Sequence, residues 1–110
     1  MKEIKAFVRP KKVNEIVQQL KDNGFENMTI SSAEGTGKFQ DDKAFVSHIF
    51  SITDSPMAKI EIVVKKEQVD TIVSIISGYG KTLHSGDGII YVSDVDKTYR
   101  VKTGLENGEK

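Results

Sequence analysis

The chain contains no cysteine and no tryptophan, and two of its 110 residues are proline. Without cysteine there is neither a disulfide framework nor a thiolate metal site, a composition that fits a reducing compartment. Neither sign of charge is in excess, with 16 Lys and Arg against 16 Asp and Glu. That balance removes the bulk attraction that draws proteins to nucleic acid or to an acidic membrane. No apolar run approaches the roughly 20 residues of a membrane span. The charged, alternating start MKEIKAFVRP does not read as a signal peptide. The expectation is a soluble, cytoplasmic protein with no membrane insertion and no nucleic-acid partner. At this length one domain, residues 1–110, is expected, with a modest core that oligomerisation commonly extends.

What is present is organised around residues 35–57, GTGKFQDDKAFVSHIFSITDSPM. This stretch holds no sustained period, and a connection so long inside a small domain is usually a binding loop or a disordered segment. On its N-terminal side, Lys2 to Arg9 alternates, with Ile4, Ala6 and Val8 on one face, which is the period of a strand. Pro10 ends it and suits the start of a helix. Val13, Ile16, Val17 and Leu20 then recur at helical spacing, and Gly24 stops that helix. A second strand is expected around Met28 to Ala33. On the C-terminal side, Lys59 to Val64 reads as a third strand. Val69, Ile72, Val73 and Ile76 repeat the helical spacing, with Gly78 and Gly80 closing the helix, and Ile89 to Val92 reads as a fourth strand. Within the central stretch, Ala44 to Ile52 has enough Phe, Val and Ile to extend as a ribbon. The C-terminal Thr98 to Thr103, if extended, would point Arg100 and Lys102 to one side, and a flexible tail is expected from about 105 to 110.

The order βαββαβ, with a right-handed crossover in each half, lays two helices on one face of a four-stranded antiparallel sheet. This α+β arrangement is the ferredoxin-like sandwich. It hosts many functions, so function has to come from particular residues.

The Gly-rich turns carry the sharper signals. Gly35-Thr36-Gly37-Lys38 leaves a strand, and Gly86-Asp87-Gly88 precedes one. Glycines let the backbone approach a ligand and gather N–H groups into one concavity. With Arg100 and Lys102 as cations, such turns suit a polyphosphate. They also fit ordinary turns. His48, with Asp41 and Asp42, is compatible with a divalent-metal site and equally with solvated loop residues, and His84 with a polar neighbour of phosphate. Phe39, Phe45, Val46, Ile49 and Phe50 make the central stretch apolar, as a partner interface would be, or as a loop packed on its own base would be. A phosphohydrolase reading has an anion cradle but no convincing base, since Asp87 reads as part of a turn. An RNA-binding reading lacks the aromatic signature on the central strands.

Taken in order, these residues resemble the PII nitrogen-regulatory signalling proteins. The resemblance rests on the start MKEIKAFVRPKKVNEIVQQL, on Gly24 followed by Met28-Thr29, on Gly35-x-Gly37, and on Lys59-Ile60-Glu61-Ile62-Val63-Val64. It continues through Gly86-Asp87-Gly88, Val92-Ser93-Asp94-Val95 and Arg100-Val101-Lys102-Thr103-Gly104. No one motif is specific; their order and spacing together are.

The resemblance implies a ferredoxin-like protomer in a compact homotrimer that binds an adenine nucleotide (ADP, AMP or ATP) in clefts between protomers. It implies a sensor rather than an enzyme. The loop 35–57 would contact a protein partner, a membrane transporter or a metabolic enzyme, and the C-terminal segment would close over the nucleotide of a neighbouring subunit. By position, Thr29 would lie by the adenine, with Val63 and Val64 lining its pocket. Gly35 and Gly37 would approach ribose and phosphates, and Lys38 would face phosphate. Gly86, Asp87 and Gly88 would form the phosphate-binding turn. Arg100 and Lys102 match an Arg-x-Arg motif whose second member has become Lys, which keeps the charge and loses the bidentate fork.

Four departures shift the expected chemistry. Phe39 stands where the family has a Gln that supports magnesium and 2-oxoglutarate. Met57 replaces the Lys of Leu-Pro-Lys, which binds the same 2-oxo acid. Residues 35–57 contain no tyrosine for uridylylation. Ile89 replaces the Lys of Gly-Asp-Gly-Lys. The expectation is therefore a divergent PII-like regulator with no required metal, without 2-oxoglutarate sensing or tyrosine uridylylation, and with reduced affinity for a triphosphate. The alternatives are a trimeric divalent-metal-binding or metal-homeostasis protein, and a small phosphohydrolase.

Overall fold

A computed structural model describes residues 1–36, 55–84 and 86–106. The elements follow the order β1 (Lys2–Val8), α1 (Val13–Asp22), β2 (Thr29–Gly35), β3 (Ser55–Val64), α2 (Val69–Gly80) and β4 (Gly88–Asp94). Single 3-10 turns, Pro10–Lys12 and Lys66–Gln68, lead into the two helices. At the second of these, the N-cap Lys65 N–H donates to the Gln68 side-chain oxygen (3.0 Å), so the last residue of the turn reaches back to the residue before it.

The sheet order is β2-β3-β1-β4, with every neighbouring pair antiparallel. β1 pairs Ile4 with Ile62 and Ala6 with Ile60 on one side, and with Val92 and Ile90 on the other. Because successive side chains of a strand alternate between faces, Ile4, Ala6, Val8, Ile60, Ile62 and Val64 form one buried layer. Ile16 and Leu20 of α1 and Ile72 and Ile76 of α2 complete the core against it. This is the ferredoxin-like sandwich that the two helical stripes and the alternating strands predict. The other face is mixed: Lys5, Lys59 and Glu61 lie there, with a 3.4 Å ion pair between Lys59 and Glu61, and Phe7 meets Tyr91 edge-on at 6.1 Å.

Four local features differ from expectation. β2 runs to Gly35 and β3 begins at Ser55, so both ends of the stretch read as loop 35–57 are strand. Pro56 is tolerated there because β1 has already ended, at Val8 opposite Ala58, so β3 has a neighbour on one side at Pro56. Gly78 lies inside α2, and the helix closes only at Gly80, its last residue. Residues 98–103 are not extended: the Arg100 N–H donates to the Leu105 carbonyl (3.1 Å) and the Gly104 N–H to the Arg100 carbonyl (2.8 Å), which folds the segment into a turn bridged by Tyr99 and Glu106. The expected ribbon Ala44–Ile52, the apolar side chains Phe39 to Phe50 and the last residues, 107–110, lie outside the described residues.

The end of α1 shows how closely the chain follows its own stop signal. Gly24 takes φ +90°. The Gly24 N–H reaches the Lys21 carbonyl (3.0 Å) and the Phe25 N–H the Leu20 carbonyl (2.9 Å), and Phe25 then packs against the core. These are the two bonds and the apolar contact of a Schellman motif. A Cβ at Gly24 would meet no atom within 4 Å, so Gly24→Ala carries the left-handed backbone cost alone. We expect a loss of about 1–2 kcal/mol, read as a lower denaturation midpoint with an unchanged slope.

Candidate functional site

Two separate surfaces gather the residues singled out by sequence. The first lies at the start of β2. Thr29 opens that strand opposite Glu61, and Asn27, Met28, Thr29, Glu61 and Val63 line a groove of about 390 Å³. A second groove of about 940 Å³ adjoins it, sharing Asn27 and Val63, and is lined also by Arg100 and Lys102. Both cations are exposed, and neither makes an ion pair among the described residues. The C-terminal turn that carries them also exposes Tyr99, Val101 and Leu105, so it presents charge and apolar surface together.

Val64 does not belong to this surface as expected. Alternation along β3 sends Val63 to the open face and Val64 inward, where it is 4 % exposed and part of the core. Asn27, in contrast, had no motif to mark it. It comes to the groove because it precedes Thr29 by two residues, and the β2–β3 register, continued by those two steps, brings it opposite Val63.

The second surface is the turn before β4. Gly86 and Gly88 both have positive φ, +88° and +120°. Gly88 is required by packing: a Cβ there would fall 1.7 Å from the Phe7 carbonyl oxygen, so β1 and β4 could not pair at this rung with any other residue. Between the glycines, the Asp87 carboxylate turns into the protein. Its Oδ1 accepts from Arg9 Nε (2.9 Å) and from the Thr82 hydroxyl (2.6 Å), and its Oδ2 accepts from the Thr82 N–H (2.7 Å). The Thr82 hydroxyl in turn accepts from the His84 N–H (3.0 Å). One carboxylate thus closes the connection from Thr82 to Asp87. With both oxygens engaged it is poorly placed to act as a base. Burial pushes the Asp87 carboxyl up, but the Thr82 hydroxyl and N–H and the Arg9 guanidinium together outweigh it and hold it below its usual 3.8.

By sequence Arg9 is the end of the first strand pattern. The structure buries it to 6 % exposure. Continuing the register of Val8 with Gly88 by one step sets Arg9 opposite Asp87. The signal was a charge at the last alternating position before Pro10, but its partner lay 78 residues away.

Gly35 ends β2 opposite Ser55. Gly37, Lys38, Phe39, Asp41, Asp42 and His48 lie outside the described residues, and so does the metal site that Asp41, Asp42 and His48 would form. Among the described residues no three His, Asp or Glu side chains converge as a metal site would need. Met57, at the position of the family's Lys, is buried. Ile89 is 40 % exposed beside Gly88, across from Phe7.

The two surfaces do not meet within one chain. Val63 pairs with Glu3, while Gly88 pairs with Val8. From Glu3 to Val8 is five residues, or roughly 17 Å along the sheet. Thr29 and Gly35 stand at opposite ends of β2.

A small ferredoxin-like sandwich with a long central connection and glycine turns at one sheet end fits many functions, and comparison with known proteins narrows them. The family model described as nitrogen regulatory protein P-II matches residues 1–105. The chain is 39 % identical to nitrogen regulatory protein P-II 2 of Methanothermobacter thermautotrophicus, over 100 % of this chain and 96 % of that protein. It is 34 % identical to the nitrogen regulatory protein P-II of Pasteurella multocida, over 97 % and 96 %, and 33 % identical to that of Microchaete diplosiphon, over 99 % and 98 %. The chain belongs to the P-II family of regulatory signalling proteins, whose members are named as regulators and not as enzymes. No helix among the described residues is long and apolar enough to cross a membrane.

The Arg9–Asp87–Thr82 group sets one test. Because the folded carboxyl titrates below its ordinary value, its contribution to stability is complete above about pH 4 and is lost as pH falls through the folded value. Asp87→Ala, which leaves a buried arginine without this partner, should cost about 2–3 kcal/mol at pH 7. The gap between the two proteins should narrow in denaturation curves recorded below pH 4. A gap independent of pH would mean that the charge of Asp87 contributes nothing.

Proposed function

We propose that this protein is a cytoplasmic homotrimeric sensor that binds an adenine nucleotide in clefts between subunits and reports it to a protein partner through residues 35–57. The adenine lies against Thr29 and Val63 of one subunit. The phosphates lie at the Gly86–Asp87–Gly88 turn of its neighbour, with Gly35, Gly37 and Lys38 near ribose and phosphate. Arg100 and Lys102 supply the cations. The partner is a membrane transporter or a metabolic enzyme.

The observation that supports this reading is the separation of the two surfaces. One end of the sheet carries a groove with two exposed cations and the other a glycine turn, as two halves of a divided nucleotide site would. About five strand residues lie between them, so one ligand can touch both where the end of one copy meets the opposite end of another. The apolar side chains exposed on the C-terminal turn, Tyr99, Val101 and Leu105, fit cover by a neighbouring subunit.

Two positions argue for a di- or monophosphate over a triphosphate and against 2-oxoglutarate. Ile89 offers no cation beside the glycine turn, and Met57 is buried and apolar. Calorimetric titration with ATP, ADP and AMP, with and without magnesium and 2-oxoglutarate, tests this. Binding of ADP or AMP without a 2-oxoglutarate effect is expected. Ile89→Lys should raise ATP affinity by about tenfold, the worth of one charge-assisted contact. Tight magnesium–ATP binding enhanced by 2-oxoglutarate in the unaltered chain would overturn the selectivity.

A further inference from the structure

An aspartate inside a turn that receives phosphate presents a problem of charge. A carboxylate repels an anionic ligand, and in a partly dehydrated cleft that repulsion is stronger than in water. The structure handles the charge in a specific way. Arg9 follows β1 with extended backbone (φ −64°, ψ 134°), and Pro10 comes next. The alternation of β1 therefore continues one more step, and the antiparallel register brings Arg9 across from Asp87. The guanidinium is buried and its Nε lies 2.9 Å from Asp87 Oδ1. Thr82 adds two further hydrogen bonds to the same carboxylate.

We propose that Arg9 is a positioning residue for the Gly86–Asp87–Gly88 turn: it draws the Asp87 carboxylate inward and neutralises it, so that a fixed and uncharged turn is left to meet the phosphates. The proposal rests on the nucleotide reading above. It assigns this turn's competence for anions to a buried residue one step beyond β1. A planar guanidinium suits the role better than an ammonium, because it holds direction as well as charge. Thr82 shares the holding but carries no charge, so it fixes the carboxylate without neutralising it.

The test separates charge from scaffold. ADP and uncharged adenosine are titrated against the unaltered protein, Arg9→Met, Arg9→Lys, Asp87→Asn and the double variant Arg9→Met/Asp87→Asn, with thermal denaturation of each. In Arg9→Met, ADP affinity should fall by about tenfold or more, while adenosine affinity changes by less than about threefold. Arg9→Lys should recover part of the loss. Asp87→Asn should lose less ADP affinity than Arg9→Met, because it leaves no negative charge in the turn to neutralise. The double variant should bind ADP more tightly than Arg9→Met, and it keeps the test open if Arg9→Met alone fails to fold, since it buries no orphan charge: the proposal then requires its ADP affinity to match that of Asp87→Asn. Equal loss of ADP and adenosine in Arg9→Met, loss of neither, or a double variant that binds ADP no better than Arg9→Met would overturn the positioning role while leaving the nucleotide reading standing. Absence of binding by the unaltered protein to either ligand would overturn that reading and this proposal with it.

Discussion

β1 and β3 sit at the centre of the sheet, and each can bury only every second side chain. Everything else in the fold follows from how they use that limit. Their inward residues, Ile4, Ala6, Val8, Ile60, Ile62 and Val64, supply most of the sheet's share of the core. Both helices are stacked on that layer through Ile16, Leu20, Ile72 and Ile76. The outward residues are then free to carry chemistry. Val63, Glu61 and Lys5 lie on the open face for the same reason that Val64, Ile62 and Ile4 do not. The limit also governs the ends of the strands. Arg9 is one step beyond Val8 and inherits the outward face, which brings it to Asp87 and closes the turn before β4.

This explains which parts of the molecule were legible in the sequence. The helices are marked by their apolar stripes and the strands by their alternation, both local patterns that survive without knowledge of tertiary contacts. Gly24 worked as a stop because the left-handed residue a helix end demands is a local property as well. Strand ends were less legible. Pro56 looks like a loop residue, and it became a strand residue because β1 happens to stop at Val8. Of the two glycines expected to close the second helix, Gly78 lies inside α2 and Gly80 is its last residue. Alternate charges in residues 98–103 would share a side only in an extended run, and hydrogen bonds from the Arg100 and Gly104 N–H groups fold the segment into a turn instead.

The functional surfaces divide in the same way. Thr29, Val63, Arg100 and Lys102 were found by resemblance, and they line two adjoining grooves. Gly88 is marked by resemblance for a ligand's sake, yet a Cβ there would first collide with the Phe7 carbonyl oxygen. Val64 was misplaced because a run of two valines hides which one faces out, a question that register answers. The roles of Arg9 and Asn27 are not local: Arg9 meets Asp87 in the turn before β4, and Asn27 comes opposite Val63 of β3. A family pattern locates conserved chemistry, but the pairing of distant strands decides which side chain performs it and which one supports it.

The proposed function depends most on one idea, that the two half-sites of a chain are completed by different copies. Subunit mixing tests it directly. A variant with Arg100 and Lys102 both changed to Ala lacks one half, and a variant with Gly86→Val, strained at a positive φ, lacks the other. Each alone should associate normally and bind no ADP. Denatured together and refolded, they should recover ADP binding wherever an intact groove meets an intact turn from the other variant. No recovery in mixed oligomers that have demonstrably formed would place the whole site within one chain and contradict the account.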